Sequence, residues 1–174
     1  MLFRSGKDKI LQLYSVYNVT SYSSNGGFET STGYKNFYFD LYDAETGKKI
    51  NDKSIKIEDG GALKEMTETT FLTTGYNPDN KRTEIKIFDL EGKLKFDAEG
   101  LKKNNNGVLF DYSNTYIYRH DGKGYTLEGD DGRIYLLDDQ SGKAEKIDED
   151  KLMENTHKDH FKSIYSFQIG RAHV

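Results

Sequence analysis

Bulky apolar side chains in this chain gather in short runs that each lead straight into a polar turn. Tyr38-Phe39-Asp40-Leu41-Tyr42 leads into Asp43-Ala44-Glu45-Thr46-Gly47-Lys48, Ile85-Lys86-Ile87-Phe88 into Asp89-Leu90-Glu91-Gly92-Lys93, and Arg133-Ile134-Tyr135-Leu136-Leu137 into Asp138-Asp139-Gln140-Ser141-Gly142-Lys143. The turn glycines recur at 47, 92 and 142, intervals of 45 and 50 residues. Each unit combines a strand, an Asp able to bond backbone N–H groups ahead of it, a Gly able to adopt positive φ and a Lys that opens a return strand. Together these make a tight hairpin. A further strand precedes each hairpin, over residues 10–19, 71–74 and 124–128. The segments joining that strand to the hairpin are read as loops: 20–33, rich in Ser, Thr, Gly and Asn, 75–82, and the short Gly129-Asp130-Asp131-Gly132. Variable loops on a repeated strand frame mark the frame as structural and the loops as candidate binding elements.

A period of 40–50 residues with several short strands per unit is the signature of a β-propeller blade. The expected fold is all-β, a partial β-propeller of about three blades over residues 6–57, 62–98 and 108–147. It should contain at least eleven antiparallel strands in three consecutive sheets, each ending in the hairpin at Gly47, Gly92 or Gly142. A β-sandwich or an open meander using the same turns is the rival architecture. The unit from Tyr125 to Lys143 resembles the repeat of quinoprotein-like (PQQ-type) propellers, in which a strand, a D-G turn, a strand and a D-x-x-T-G-K turn follow one another. Asp43-Ala44-Glu45-Thr46-Gly47-Lys48 matches the second half of that pattern, and Asp89 to Gly92 is one residue shorter. The Trp that closes each such repeat is absent, with Ile50, Phe96 and Ile147 in its place. The resemblance therefore implies propeller architecture without the Trp interlock between blades, and no cofactor.

Composition adds little direction. The chain has 25 Lys+Arg and 29 Asp+Glu, a net charge of −4, with both signs interspersed, which favours solubility and disfavours a nucleic-acid partner. No apolar run approaches the roughly 20 residues of a membrane-spanning helix. There is no Cys, so disulfides, zinc–thiolate sites and thiol nucleophiles are excluded within it. Thirteen Tyr and ten Phe with one Pro and 17 Gly fit many strands joined by glycine turns. Both termini carry a further signal. Ile169-Gly170-Arg171-Ala172-His173-Val174 reads as the translation of a common sequencing adapter, and Met1-Leu2-Phe3-Arg4-Ser5 as its reverse complement. Residues 1–5 and 168–174 are accordingly set aside as adapter artefact, leaving 6–167 as a propeller domain expected to be incomplete at both ends.

Residues 148–163 break the strand pattern, with acidic residues first and Leu152, Met153, Thr156, His160 and Phe161 at near-helical spacing. Helix is expected there, as a linker near the C-terminus, with at most a further turn near Ala62–Met66. This linker holds the one constellation with metal-ligating potential, Glu154, His157 and His160 with Asp159 between the imidazoles. A two-metal carboxylate site needs a second Glu-x-x-His segment, which is missing. His120 lies in the hairpin tip Arg119-His120-Asp121-Gly122-Lys123-Gly124, where turn geometry explains the Asp and Gly. Gly122-Lys123-Gly124 and Gly60-Gly61 lack the strand–loop–helix setting of a phosphate loop. Asp130-Asp131-Gly132 lacks the alternate ligands of a calcium loop, and Asn18-Val19-Thr20 fits the glycosylation acceptor pattern.

No catalytic, cofactor-binding or metal residue is therefore assigned. The function expected is a non-enzymatic β-propeller repeat module that binds a protein, peptide or carbohydrate, in the cell envelope or periplasm of a bacterium. The alternative is a fragment of a propeller oxidoreductase or hydrolase whose catalytic residues lie outside this chain. A cluster of carboxylates at a funnel end would favour the enzyme. A flat, Tyr-lined face without convergent titratable groups would favour the binder.

Overall fold

The computed structural model describes residues 2–5, 8–24, 27–57, 61–77, 79–111 and 124–147. Within them twelve strands form three four-stranded antiparallel sheets. The first holds β1 (Leu2–Ser5), β2 (Lys9–Ser24), β3 (Gly27–Asp43) and β4 (Ile55–Ile57). The second holds β5 (Ala62–Met66), β6 (Thr70–Asn77), β7 (Arg82–Asp89) and β8 (Leu94–Asp97). The third holds β9 (Phe110–Asp111), β10 (Gly124–Gly129), β11 (Ile134–Asp138) and β12 (Ala144–Lys146). In every sheet the strands lie side by side in chain order, so each sheet is a simple meander. The fold is all-β with one short helix among the described residues.

The repeated turns build these sheets as their sequences predict. Gly47, Gly92 and Gly142 take φ values of 67°, 85° and 66°, a region open to Gly at no steric cost. Asp43 Oδ1 accepts from Thr46 N and Oγ1, both at 2.6 Å, and Asp138 Oδ1 accepts from Ser141 N at 2.7 Å and Oγ at 2.6 Å. The shorter middle turn solves the same problem differently, with Asp89 Oδ1 accepting from Glu91 N at 3.0 Å and Lys93 N at 2.8 Å.

The middle sheet is apolar on both faces because its strands alternate two apolar sets. Phe71 and Phe88 point to the first sheet and join Leu11, Leu13, Phe39, Leu41, Ile57, Leu63 and Met66 in one core. Leu72, Ile85 and Ile87 point to the third sheet and join Leu101, Phe110, Tyr125, Leu127 and Leu137 in another. The three sheets thus stack face to face in chain order. Phe71 ties the first core together, edge-on to Phe39 at 4.9 Å and stacked on Phe88 at 5.4 Å.

Four expectations need correction. Ala62–Met66 is strand β5, paired with β6. Residues 20–33 are not a loop: β2 and β3 continue as a paired ribbon out to Ser24↔Gly27, carried by Thr and Tyr, which favour extended backbone. Pairing likewise runs on to Asn77↔Arg82, so 75–77 and Arg82 belong to the strands, and residues 79–81 form the turn between them. Helix occurs where none was expected, at α1 (Ala98–Asn104), while the helix expected at 148–163 lies outside the described residues. Asp97 caps α1, accepting from Gly100 N at 2.7 Å, Glu99 lies in the first turn, Lys102 and Lys103 in the last, and Leu101 is fully buried in the second core. Replacing Asp97 by Ala should cost about 1 kcal/mol, the usual value of an N-cap, measured as a lower urea midpoint at unchanged m-value. Leu2–Ser5 forms edge strand β1 against Ile10–Leu13.

Candidate functional site

Most of the sequence candidates fall outside the described residues. Glu154, His157, Asp159, His160, His120, Gly122 and Lys123 all lie outside the described residues, as does Gly60. Asn18 lies on the β2 ribbon. Asp130-Asp131-Gly132 forms the β10–β11 turn, with Gly132 at φ 72° and Asp131 Oδ1 accepting from Arg133 N at 3.1 Å. The Tyr135 hydroxyl donates to Asp131 Oδ2 at 2.8 Å, and this bond, against a small burial effect, holds the Asp131 carboxyl below its ordinary range. Among the described residues no three His, Cys, Asp or Glu side chains are grouped as metal ligands, and no helix is long and apolar enough to cross a membrane.

Two constellations do stand out. The first is buried, between the second and third sheets. Asp139 follows the turn Asp, at the place held by Ala44 in the first repeat and by Leu90, which packs on the first core, in the second. Its Oδ2 accepts from Thr67 Oγ1 at 2.5 Å, Thr69 Oγ1 at 2.9 Å and Thr70 Oγ1 at 3.0 Å, all at the β5–β6 turn. With those protons committed to the carboxylate, the Tyr125 hydroxyl is the donor across its 2.7 Å contact with Thr70 Oγ1. Asp139 is 3% exposed, Thr67 2%, Tyr125 1% and Thr70 0%. Burial pushes the Tyr125 phenol far above its ordinary value, which the Thr70 bond only partly offsets, so it stays protonated and cannot serve as a base. A carboxylate so enclosed and so bonded clamps two hairpins together.

The second constellation is open. Side chains alternate along β2 and β3, so that Leu11, Leu13, Phe39 and Leu41 enter the first core while Ile10, Tyr14, Val16, Tyr38, Asp40 and Tyr42 lie on the opposite face. Tyr14 and Tyr38 stack with ring centres 5.9 Å apart and planes 23° from parallel. The three tyrosines are partly exposed, and Val16 is 48% exposed. The one carboxylate on this face is already paired: Lys49 Nζ lies 2.8 Å from Asp40 Oδ1, and Asn51 Nδ2 donates to the same oxygen at 3.3 Å. Burial pushes the Asp40 carboxyl up, but the bonds from Lys49, Ser54 and Asn51 and the Lys49 charge more than reverse this and leave it below its ordinary range. The face is thus aromatic, with its described carboxylate paired and the exposed Lys56 of β4 beside Tyr38.

The carboxyls of Asp43 and Asp138 are also held below the usual range, first by the Thr46 and Ser141 hydroxyls and then by the same residues' N–H groups. With Asp40 and Asp131, four aspartates bind protons more readily in the unfolded chain than in the folded one. Their stabilisation is complete above about pH 4, the range of an unperturbed Asp, and disappears as pH falls through the folded values. A series of urea melts from pH 7 to pH 2 should therefore show stability steady to about pH 4.5 and falling below it. Asp138→Ala should flatten part of that fall.

Sequence reasoning did not find the Asp139 clamp. The available signal was an Asp where the parallel repeats carry Ala44 and Leu90. The chain matches no known family model, no curated protein sequence and no solved structure.

Proposed function

We propose that this chain is a non-enzymatic interaction module built as part of a β-propeller, and that the Tyr14/Tyr38/Tyr42 face of its first sheet is the surface that binds. Three successive four-stranded meanders, stacked face to face in chain order, support the propeller reading, because a propeller is a ring of such sheets. The observation that carries the binding role is the aromatic face itself. Tyr supplies broad contact area at low entropic cost with a hydroxyl for hydrogen bonds, and the only described carboxylate there is neutralised by Lys49. Partners of this chemistry are a protein surface, a peptide or a carbohydrate.

The test is a binding screen of the full chain against immobilised oligosaccharides and synthetic peptides, with self-association measured alongside. Binding lost in Tyr14→Ser/Tyr38→Ser, with an unchanged far-UV circular dichroism spectrum, supports the reading. Turnover of chromogenic ester or glycoside substrates, or reduction of an electron-acceptor dye, with that face substituted, would replace it with the enzyme alternative.

A further inference from the structure

The three repeats allow each sheet's two faces to be compared position by position, counting back from the turn Asp. The residue just before it is Tyr42 in the first sheet, Phe88 in the second and Leu137 in the third. Phe88 and Leu137 face the preceding sheet and are 2% and 0% exposed, whereas Tyr42 is only partly buried. One residue further back are Leu41, Ile87 and Leu136. Leu41 and Ile87 face the following sheet at 5% and 0% exposure, whereas Leu136 is only partly buried. The turn glycines show the same contrast. A Cβ on Gly92 would stand 2.6 Å from Ile55 Cγ2 and 3.3 Å from the Phe39 ring of the first sheet, and one on Gly142 would stand 2.7 Å from the Phe96 ring of the second. A Cβ on Gly47 would meet nothing within 4 Å. Twice, then, a turn glycine lies flush on side chains of the sheet before it, and at the first sheet that seat is empty.

From this we infer that the first-sheet face around Tyr42 and Gly47 is a docking surface for the third sheet of a second copy of this chain, contacting it through the face that carries Ile134 and Leu136. The inference rests on the interaction-module reading and names its partner. Each chain carries both halves of the contact that its own sheets make twice: a face that receives a preceding sheet and a face that receives a following one. The contact is head-to-tail, so it uses two different surfaces. Two copies together bring six sheets among their described residues, within the four to eight with which propellers close, so the association can end at a ring of two instead of growing into fibres.

Sedimentation velocity of the full chain across a hundredfold range of concentration tests this. The expected result is a dimer that Tyr42→Glu or Leu136→Glu each converts to monomer with an unchanged far-UV spectrum. Because the surfaces differ, a mixture of the two variants keeps one of the ring's two contacts intact and should associate more weakly than the wild type. A wild-type monomer throughout the range overturns the inference, as does a dimer that neither substitution weakens. A monomer that still binds an oligosaccharide or peptide through Tyr14 and Tyr38 would sink the self-docking alone. A monomer that binds none of them would sink the module reading as well.

Discussion

Asp139→Ala is expected to remove about 3 kcal/mol of stability, a large share of the 5–15 kcal/mol typical of a folded domain. The substitution leaves two buried hydroxyls, Thr67 and Thr70, without the acceptor that now orients them. Each orphaned donor costs about 1–3 kcal/mol. Thr67 can recover part by turning to the Thr70 carbonyl 3.3 Å away, and the exposed Thr69 can turn to water, which keeps the sum below its maximum. Tyr125→Phe should cost only about 1 kcal/mol, because it deletes a donor and leaves Thr70 still bonded to the carboxylate. A double-mutant cycle of Asp139→Ala with Thr70→Val, followed by urea unfolding, isolates the shared term. Strict additivity, or an Asp139→Ala loss under about 0.5 kcal/mol, the scale of an ordinary surface substitution, would show that the Asp139 clamp adds little to what holds the second and third sheets together.

What was legible in the sequence was whatever a few neighbouring residues decide. An Asp that bonds forward, a Gly that must take positive φ and an apolar run before them are local causes, so the hairpins at Gly47, Gly92 and Gly142 and the three sheets they organise could be read directly. Strand length was less legible. Residues 20–33 look like a loop by their Ser, Gly and Asn content, yet Thr20 pairs with Ser31 and Tyr22 with Glu29, because a ribbon can be extended wherever two strands are already in register. Helix α1 escaped for a different reason: with Leu101 as its single fully buried residue it has no periodic apolar stripe, and its cap is the last residue of β8. The Asp139 clamp joins residues about 70 positions apart, a pairing that exists only once the two sheets have stacked. The aromatic face was half legible, since the tyrosines were evident but their face depends on the register of β2 against β3. The missing repeat Trp was read as the loss of the Trp interlock of that repeat pattern, and the Phe96 ring, standing in one such place, lies against Gly142 of the next sheet.

That contact leaves Gly142, like Gly92, little room for a side chain. Gly142→Ala should cost about 2–5 kcal/mol: about 1–2 for a Cβ in the left-handed region, and about 1–3 for forcing a methyl into packed surroundings, here against the Phe96 ring 2.7 Å away. Gly47→Ala, at nearly the same φ but with no atom within 4 Å, should show the backbone part alone, about 1–2 kcal/mol. Gly92→Ala should resemble Gly142→Ala, since Ile55 Cγ2 and the Phe39 ring crowd it. The difference between the costs at Gly142 and Gly47 thus measures the contact between sheets with the turn conformation cancelled. Pairing Gly142→Ala with Phe96→Leu checks the cause: a smaller side chain should return part of the loss, so the double variant should be more stable than the two single costs added together. The comparison is to be made at low protein concentration, where any head-to-tail dimer has dissociated. Equal costs at 47 and 142 under those conditions would mean that the Phe96 ring moves aside freely and that turn geometry, not the seat between sheets, requires glycine there.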